Sequence, residues 1–265
     1  MKPDEWIGKS FNTELTLDYK IARDFEVKMG RDSFAIEAGD KLAACGHWLF
    51  PASTDVENSL NIPDKYQLFW KEGQIVIKNR PKLGDSCLVK TTIRDVSQIE
   101  ATDGTAGYRI DLAQLIQSER KIAIDEQISL LLAEDIAPFE QIRRVPFEPE
   151  WTQEATKEQL DKLQLFAGSI FGHEVVDILT RTEHREKKVM RIQGPPAATL
   201  LIESFSYHFG SRSIDRISYK AHGFTTNGKV IVAGRDSDAF VTSMVLMNEN
   251  RQVLFSADIR WSYNW

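Results

Sequence analysis

The chain has 265 residues, 42% of them hydrophobic, and a formal net charge of −6. It carries enough apolar material for one large core or two ordinary ones, and its acidic balance argues against general affinity for nucleic acid or anionic membrane. Cys45 and Cys87 form no Cys-x-x-Cys pair, which argues against a disulfide framework or zinc site and points to a reducing compartment.

Met1-Lys2-Pro3-Asp4-Glu5-Trp6 contains no apolar signal region and no Arg/Ser-rich transit pattern. No apolar run approaches the roughly 20 residues a membrane helix needs, so a cytoplasmic protein is expected. Leu17, Ile21, Phe25 and Met29 recur at helical spacing and predict a helix over residues 15–29, ended by Gly30. From Gln74 onward the pattern changes to alternation, with Ile75 and Ile77, then Cys87, Val89, Thr91 and Ile93, as in strands with one buried face. Asp103-Gly104 marks a hairpin between strands over 93–100 and 108–115, and 122–133 supplies another strand. Three prolines in 138–149 mark a connector, because proline cannot donate to a continuing ladder or helix interior.

A second polar, helix-prone run follows over 154–166, with Leu160, Leu163 and Leu165 on a partly apolar face. Ile192-Gln193-Gly194-Pro195-Pro196-Ala197-Ala198-Thr199-Leu200-Leu201 reads as a strand tail, a Gly-Pro break and a small-residue helix start. Gly194 permits a close approach and Pro195 suits a first helical turn, which has no intrahelical use for its N–H. Such a helix start is positively polarised and can stabilise the enolate-like charge that develops on a thioester during α-proton chemistry. The same decapeptide also suits an ordinary buried helix. Strands are expected over 216–224, 229–236, 240–247 and 253–261, with turns at Asn227-Gly228 and Asn248-Glu249-Asn250. The alternation in Trp261-Ser262-Tyr263-Asn264-Trp265 completes the last strand, one face buried.

Gly39-Asp40-Lys41-Leu42-Ala43-Ala44-Cys45-Gly46-His47-Trp48-Leu49-Phe50, then Trp70-Lys71-Glu72-Gly73, Pro81-Lys82-Leu83-Gly84-Asp85 and Asp125-Glu126-Gln127, resemble in order and spacing the first half of the double-hotdog hydroxyacyl-thioester dehydratases. That MaoC-like group includes mesaconyl-CoA hydratase and the mitochondrial type 2 dehydratase. The resemblance runs from about residue 5 to the C-terminus, with Gln193 to Leu201 standing where the family carries His-Gly-Pro before its second hotdog helix. It implies an α+β double hotdog, two helix-plus-antiparallel-sheet units fused in one chain: an N-terminal unit over 1–137, a connector over 138–150 and a C-terminal unit over 151–265. It also implies a hydro-lyase acting on a 2-enoyl or 3-hydroxyacyl thioester of coenzyme A or a carrier protein, as a monomer or homodimer, with no cofactor and no metal.

The family places an Asn or Asp and a His a short interval apart just before the Gly-Pro helix. Here the corresponding stretch, 168–177, offers Phe171 and Val176, or shifted by one Gly172 and Asp177, and neither alignment restores the pair. His173 is the replacement base, oriented by or sharing its work with Glu174 or Asp177; the alternative is a loop histidine bonded to backbone beside two solvent-facing carboxylates. Gln193, in place of the family's His, offers an amide to a thioester oxygen or satisfies nearby backbone. Arg181, Arg185 and Arg191, with Lys187 and Lys188, suit the phosphates of an incoming carrier, or form a solvated loop partly neutralised by Glu183 and Glu186. His47, Trp48 and Trp70 are the first half's candidates for substrate binding, with a structural role for His47 as the alternative. His184, His208 and His222 show no metal-like spacing. The missing pair leaves a second reading: a hotdog scaffold recruited for thioester hydrolysis, polyketide-type cyclisation or acyl binding alone.

Overall fold

The computed structural model describes residues 3–28, 36–50, 60, 62–63, 65–135, 137–139, 147–155, 190–191, 194–210, 212–223, 225–226 and 230–263. The first half contributes strands β1 (Ser10–Thr16), β2 (Gln67–Ile77), β3 (Ser86–Glu100), β4 (Ala106–Ser118) and β5 (Lys121–Ala133). The second contributes β6 (Trp151–Ala155), β7 (Met190–Arg191), β8 (Arg212–Ala221), β9 (Thr225–Thr226), β10 (Val230–Asp238), β11 (Val241–Asn248) and β12 (Val253–Tyr263). β7 and β9 form a small separate ribbon; the others build one ten-stranded sheet in the order β1-β3-β4-β5-β2-β8-β12-β11-β10-β6.

Read inward from its own edge, each half has the same order: first strand, third, fourth, fifth, second. The two inner strands join antiparallel, with Gln74 opposite Ser218 at the middle of the shared ladder. The β-bulges repeat as well. Lys71 is the extra residue in β2 against β5, and Asp215 is its counterpart in β8 against β12. Arg94 and Ser237 are matching extras in β3 and β10, and Ala123 and Leu254 in β5 and β12. Bulges set local bend and twist, so the halves are duplicates in backbone shape although their sequences show no visible repeat. This duplication is a two-fold one about the β2–β8 pair.

Two helices are described, α1 (Tyr19–Lys28) and α2 (Gly194–Phe209), with a short 3-10 turn at Gly46–Leu49. α2 packs on β2 as well as on β8, β11 and β12, so it touches both halves. Its Ala197, Ala198, Leu200, Leu201, Ile202 and Phe205 are all buried. No helix among the described residues is long and apolar enough to cross a membrane.

Several expectations need correction. The helix expected from Leu15 starts only at Tyr19, where Asp18 caps it by accepting from the Lys20 N–H at 2.9 Å. Leu15 lies in β1, paired with Cys87. Glu154, expected to open a helix, lies in β6 opposite Ile231; the rest of that run lies outside the described residues. Each half therefore has five strands in the main sheet, not four. The strand expected over 93–100 begins at Ser86 and continues through the bulge at Arg94. The strand expected from Arg216 begins at Arg212 and ends at Ala221. The Asp103-Gly104 turn forms as expected, with Gly104 at φ 85° and the Thr105 N–H donating to the Asp103 carboxylate at 2.9 Å. In the expected connector, Ala137–Phe139 forms a single 3-10 turn whose Phe139 is buried. Asn227-Gly228 lies outside the described residues.

Candidate functional site

The segment leading into the first half's inner strand begins at Cys45, a non-glycine residue held in the left-handed region (φ 61°). Gly46, His47, Trp48 and Leu49 follow as a buried 3-10 turn. His47 and Trp48 both point at Glu126 of β5, whose side chain is fully buried. His47 Nε2 lies 3.0 Å from one carboxylate oxygen and Trp48 Nε1 donates to the other at 3.1 Å. If Glu126 is a carboxylate it can only accept, and Nε2 is then the donor of this pair. His47 Nδ1 is buried and has no partner among the described residues.

A third donor comes from the opposite half. Tyr219 of β8 faces Gly73 of β2 across the central ladder and donates its hydroxyl to Glu126 at 3.4 Å. Gly73 makes this crossing possible: a Cβ there would lie 2.4 Å from the Tyr219 oxygen and 2.8 Å from the Gln127 carbonyl. Trp48 meets the Tyr219 ring edge-on at 6.0 Å. Burial pushes the Tyr219 phenol well up, with the Glu126 charge acting the same way. Burial and then Glu126 raise the Cys45 thiol likewise, so both remain protonated donors at neutral pH.

At the second half's helix start the described residues are apolar. Gly194 adopts φ 53°, and a Cβ there would sit 2.7 Å from Trp70 Cγ. The close approach that requires glycine is thus made by a side chain of the first half. Gly194 and Pro195 are buried. Between α1, the loop before Cys45 and α2 lies a small cleft of about 90 Å³, lined by Phe25, Ile36, Leu42, Cys45, Gly46 and Ile202 among others. Cys45 and Gly46, just before His47, are among its lining residues.

The structure brings together two groups of the sequence candidates: His47 with Trp48, and Trp70 with Gly194 and Pro195. His173, Glu174, Asp177, Arg181, Arg185 and Gln193 lie outside the described residues, as does His184. Arg191 is placed by its backbone in β7, paired with Thr225. His208 stacks on Trp151 at 3.9 Å and His222 bonds Ser256 at 2.9 Å, each taken up by a local contact. Sequence reasoning missed the roles of Glu126 and Tyr219. Glu126 stood in the Asp125-Glu126-Gln127 motif, and a carboxylate flanked by strand residues was its one available signal; Tyr219 gave none.

No family model matches the sequence, and no curated protein sequence matches it. Solved structures do. A MaoC-like dehydratase from Phytophthora capsici aligns with a TM-score of 0.69 at 9% identity, over 100% of this chain and 99% of that one. A Mycobacterium tuberculosis protein described as having a double hotdog fold aligns at 0.60 and 10% identity, over 97% and 96%. An acyl-ACP thioesterase from Bacteroides thetaiotaomicron aligns at 0.55 and 8% identity, over 99% and 100%. Identities this low carry the fold alone. Together with the repeated strand order and bulges, they make this chain a double hotdog.

Proposed function

We propose that this double hotdog acts on acyl thioesters carried by coenzyme A or a carrier protein, and that its reaction is hydration of a 2-enoyl thioester or dehydration of a 3-hydroxyacyl thioester. The observation that carries the reading is the start of α2, a buried Gly194-Pro195 turn fixed on Trp70 of the other half, in a fold shared along its whole length with a dehydratase. In this reading the Gly194 N–H and the positive end of α2 polarise the thioester carbonyl, with the Gln193 amide as an additional donor. His173, with Glu174 or Asp177, moves the proton at the α-carbon. Arg181, Arg185 and Arg191 hold the carrier's phosphates, and Trp70, His47 and Trp48 bound the acyl site from the first half.

The test is mass spectrometry of short, branched and long 2-enoyl-CoA and 3-hydroxyacyl-CoA thioesters after incubation with the protein. A gain or loss of one water is expected, slowed at least about a hundredfold in His173→Ala. Unchanged turnover in that variant removes His173 from the mechanism. The absence of the family's Asn/Asp-His pair from 168–177 favours a second reading, a scaffold recruited for thioester hydrolysis, cyclisation or acyl binding. Release of free thiol with no change of water content would favour hydrolysis over the lyase.

A further inference from the structure

We propose that Lys71 is an acyl-acceptor site, a modification site whose side-chain amine takes the acyl group of a thioester such as an acyl-coenzyme A. Its surroundings are those of an amine crowded by cations and left without an anion. Lys71 is the extra residue of the β2 bulge and has no cross-strand partner in β5. Glu72 beside it is the last β2 residue on the β8 ladder, opposite Lys220. Both oxygens of Glu72 are engaged, one by Arg109 Nη1 at 3.1 Å and the other by Lys220 Nζ at 3.4 Å. The Asp111 carboxylate is held by Arg109 Nε at 2.9 Å. Lys71 Nζ is left with the carbonyl of buried Phe139, at 3.4 Å, and forms no ion pair among the described residues.

The lysines at the two ends of the same strand differ. Lys65, before β2, pairs with Glu134, and Lys78, after it, pairs with Asp125 at 3.1 Å. Each has a carboxylate of its own, which holds the ammonium form. Lys71 lies between them, half-buried, and burial lowers its pKa; the Lys220 and Arg109 charges act the same way against the pull of Glu72. The neutral amine is the nucleophilic form of lysine, and desolvation beside another cation is one of the ways it is made available. Acylation turns the nitrogen into a neutral amide, which removes the charge that burial penalises and leaves one N–H to meet the Phe139 carbonyl.

In the step itself the Lys71 nitrogen attacks the carbonyl carbon of the thioester. The N–C bond forms, the C–S bond breaks, and its electron pair leaves on sulfur. The proton released by nitrogen passes through solvent to the thiolate. The products are Nε-acyl-lysine and free thiol; nothing is oxidised or reduced, and no further reactant is consumed.

The decisive measurement is the rate of acetylation of each lysine when the full chain is incubated with acetyl-CoA from neutral to alkaline pH, read by peptide mass spectrometry. At neutral pH Lys71 is expected to react at least about three times as fast as the exposed Lys9, Lys90 and Lys121, and to reach its half-maximal rate at a lower pH than they do. Lys220→Gln removes a like charge and frees one oxygen of Glu72. It should slow Lys71 at neutral pH and move its half-maximum upward, while the three exposed lysines stay as they were; a difference in access alone would not respond in this way. Acetylation of Lys71 no faster than theirs, or a Lys71 profile unmoved by Lys220→Gln, overturns the proposal. An acetyl group has no third carbon and can neither gain nor lose water, so failure here leaves the hydration reading standing, and failure of that reading leaves this one.

Discussion

The two glycine-led helix starts sit in duplicate halves yet differ in the chemistry of their described residues. At Gly46 three donors, His47, Trp48 and Tyr219, converge on one buried carboxylate. At Gly194 the chain enters α2 through Pro195 against Trp70, and the strand position matching Glu126 is Ala257. Both halves keep the strand order and all three bulge positions. Backbone shape in this fold is therefore set by apolar alternation and bulges, and is indifferent to whether the helix start is polar. Each start is also braced by an aromatic of the other half, Tyr219 in one case and Trp70 in the other, but from strand positions that do not correspond.

The largest effect should come from removing the hub of the polar start. Glu126→Ala leaves three buried donors, on His47, Trp48 and Tyr219, without their acceptor, and is expected to cost about 3–5 kcal/mol. The readout is the urea midpoint at unchanged slope. Converting the whole cluster to the chemistry of its twin, by adding His47→Leu, Trp48→Phe and Tyr219→Phe, should recover most of that loss. If the quadruple variant is no more stable than Glu126→Ala, apolar packing cannot replace the network and the twin is not a fair control.

A smaller difference separates the two glycines. Gly194→Ala places a Cβ 2.7 Å from Trp70 Cγ at φ 53°, combining left-handed strain with a contact on a ring held in the core, and should cost about 2–4 kcal/mol. Gly46→Ala meets the Leu42 side chain, at 2.9 Å from Cδ1 and 3.1 Å from Cγ, without left-handed strain, so a cost below about 1.5 kcal/mol is expected. Thermal unfolding of the two variants side by side checks the order; equal losses would mean that Trp70 yields as readily as Leu42.

The sequence made the inner strands legible and the outer ones illegible, for one physical reason repeated twice. β3, β5, β11 and β12 carry continuous or alternating buried positions, the pattern that strand reading depends on. β1 and β6 lie at the two edges of the sheet. β1 buries no residue fully and β6 only Ala155, so their weak alternation merged into the helix-prone residues that follow. The turn between β4 and β5 was hidden too. Glu119 and Arg120 adopt φ 50° and 64° without the Asn-Gly or Asp-Gly signal that usually marks such a turn. At the site, His47, Trp48, Trp70 and Gly194 stood out as residues, but their partners did not. Glu126 and Tyr219 come within reach of His47 and Trp48 only through ladder register and through the gap left by Gly73, and neither is visible in a linear pattern.

The smallest effect is a slope with pH. Tyr219 and Cys45 are pushed well up by burial and by Glu126, and Cys87 is raised by burial and by Asp85. Unfolded thiols and phenols lose their protons near pH 8.5 and 10, roughly. Above those values the unfolded chain has released protons that the folded chain still holds, so the stability these groups contribute is complete below about pH 8.5 and declines as pH rises toward their folded values. Urea midpoints measured from neutral to alkaline pH should therefore fall. Tyr219→Phe should flatten the decline above about pH 10. Cys45→Ala should flatten the part that begins near pH 8.5 only in part, because Cys87 still contributes. The twin of Tyr219, Ile75, carries no proton to lose, so Ile75→Val should lower the whole curve without changing its slope. A slope unaltered by Tyr219→Phe would mean that the phenol reaches solvent in the folded protein, and that the polar helix start is more open than the burial of Glu126 implies.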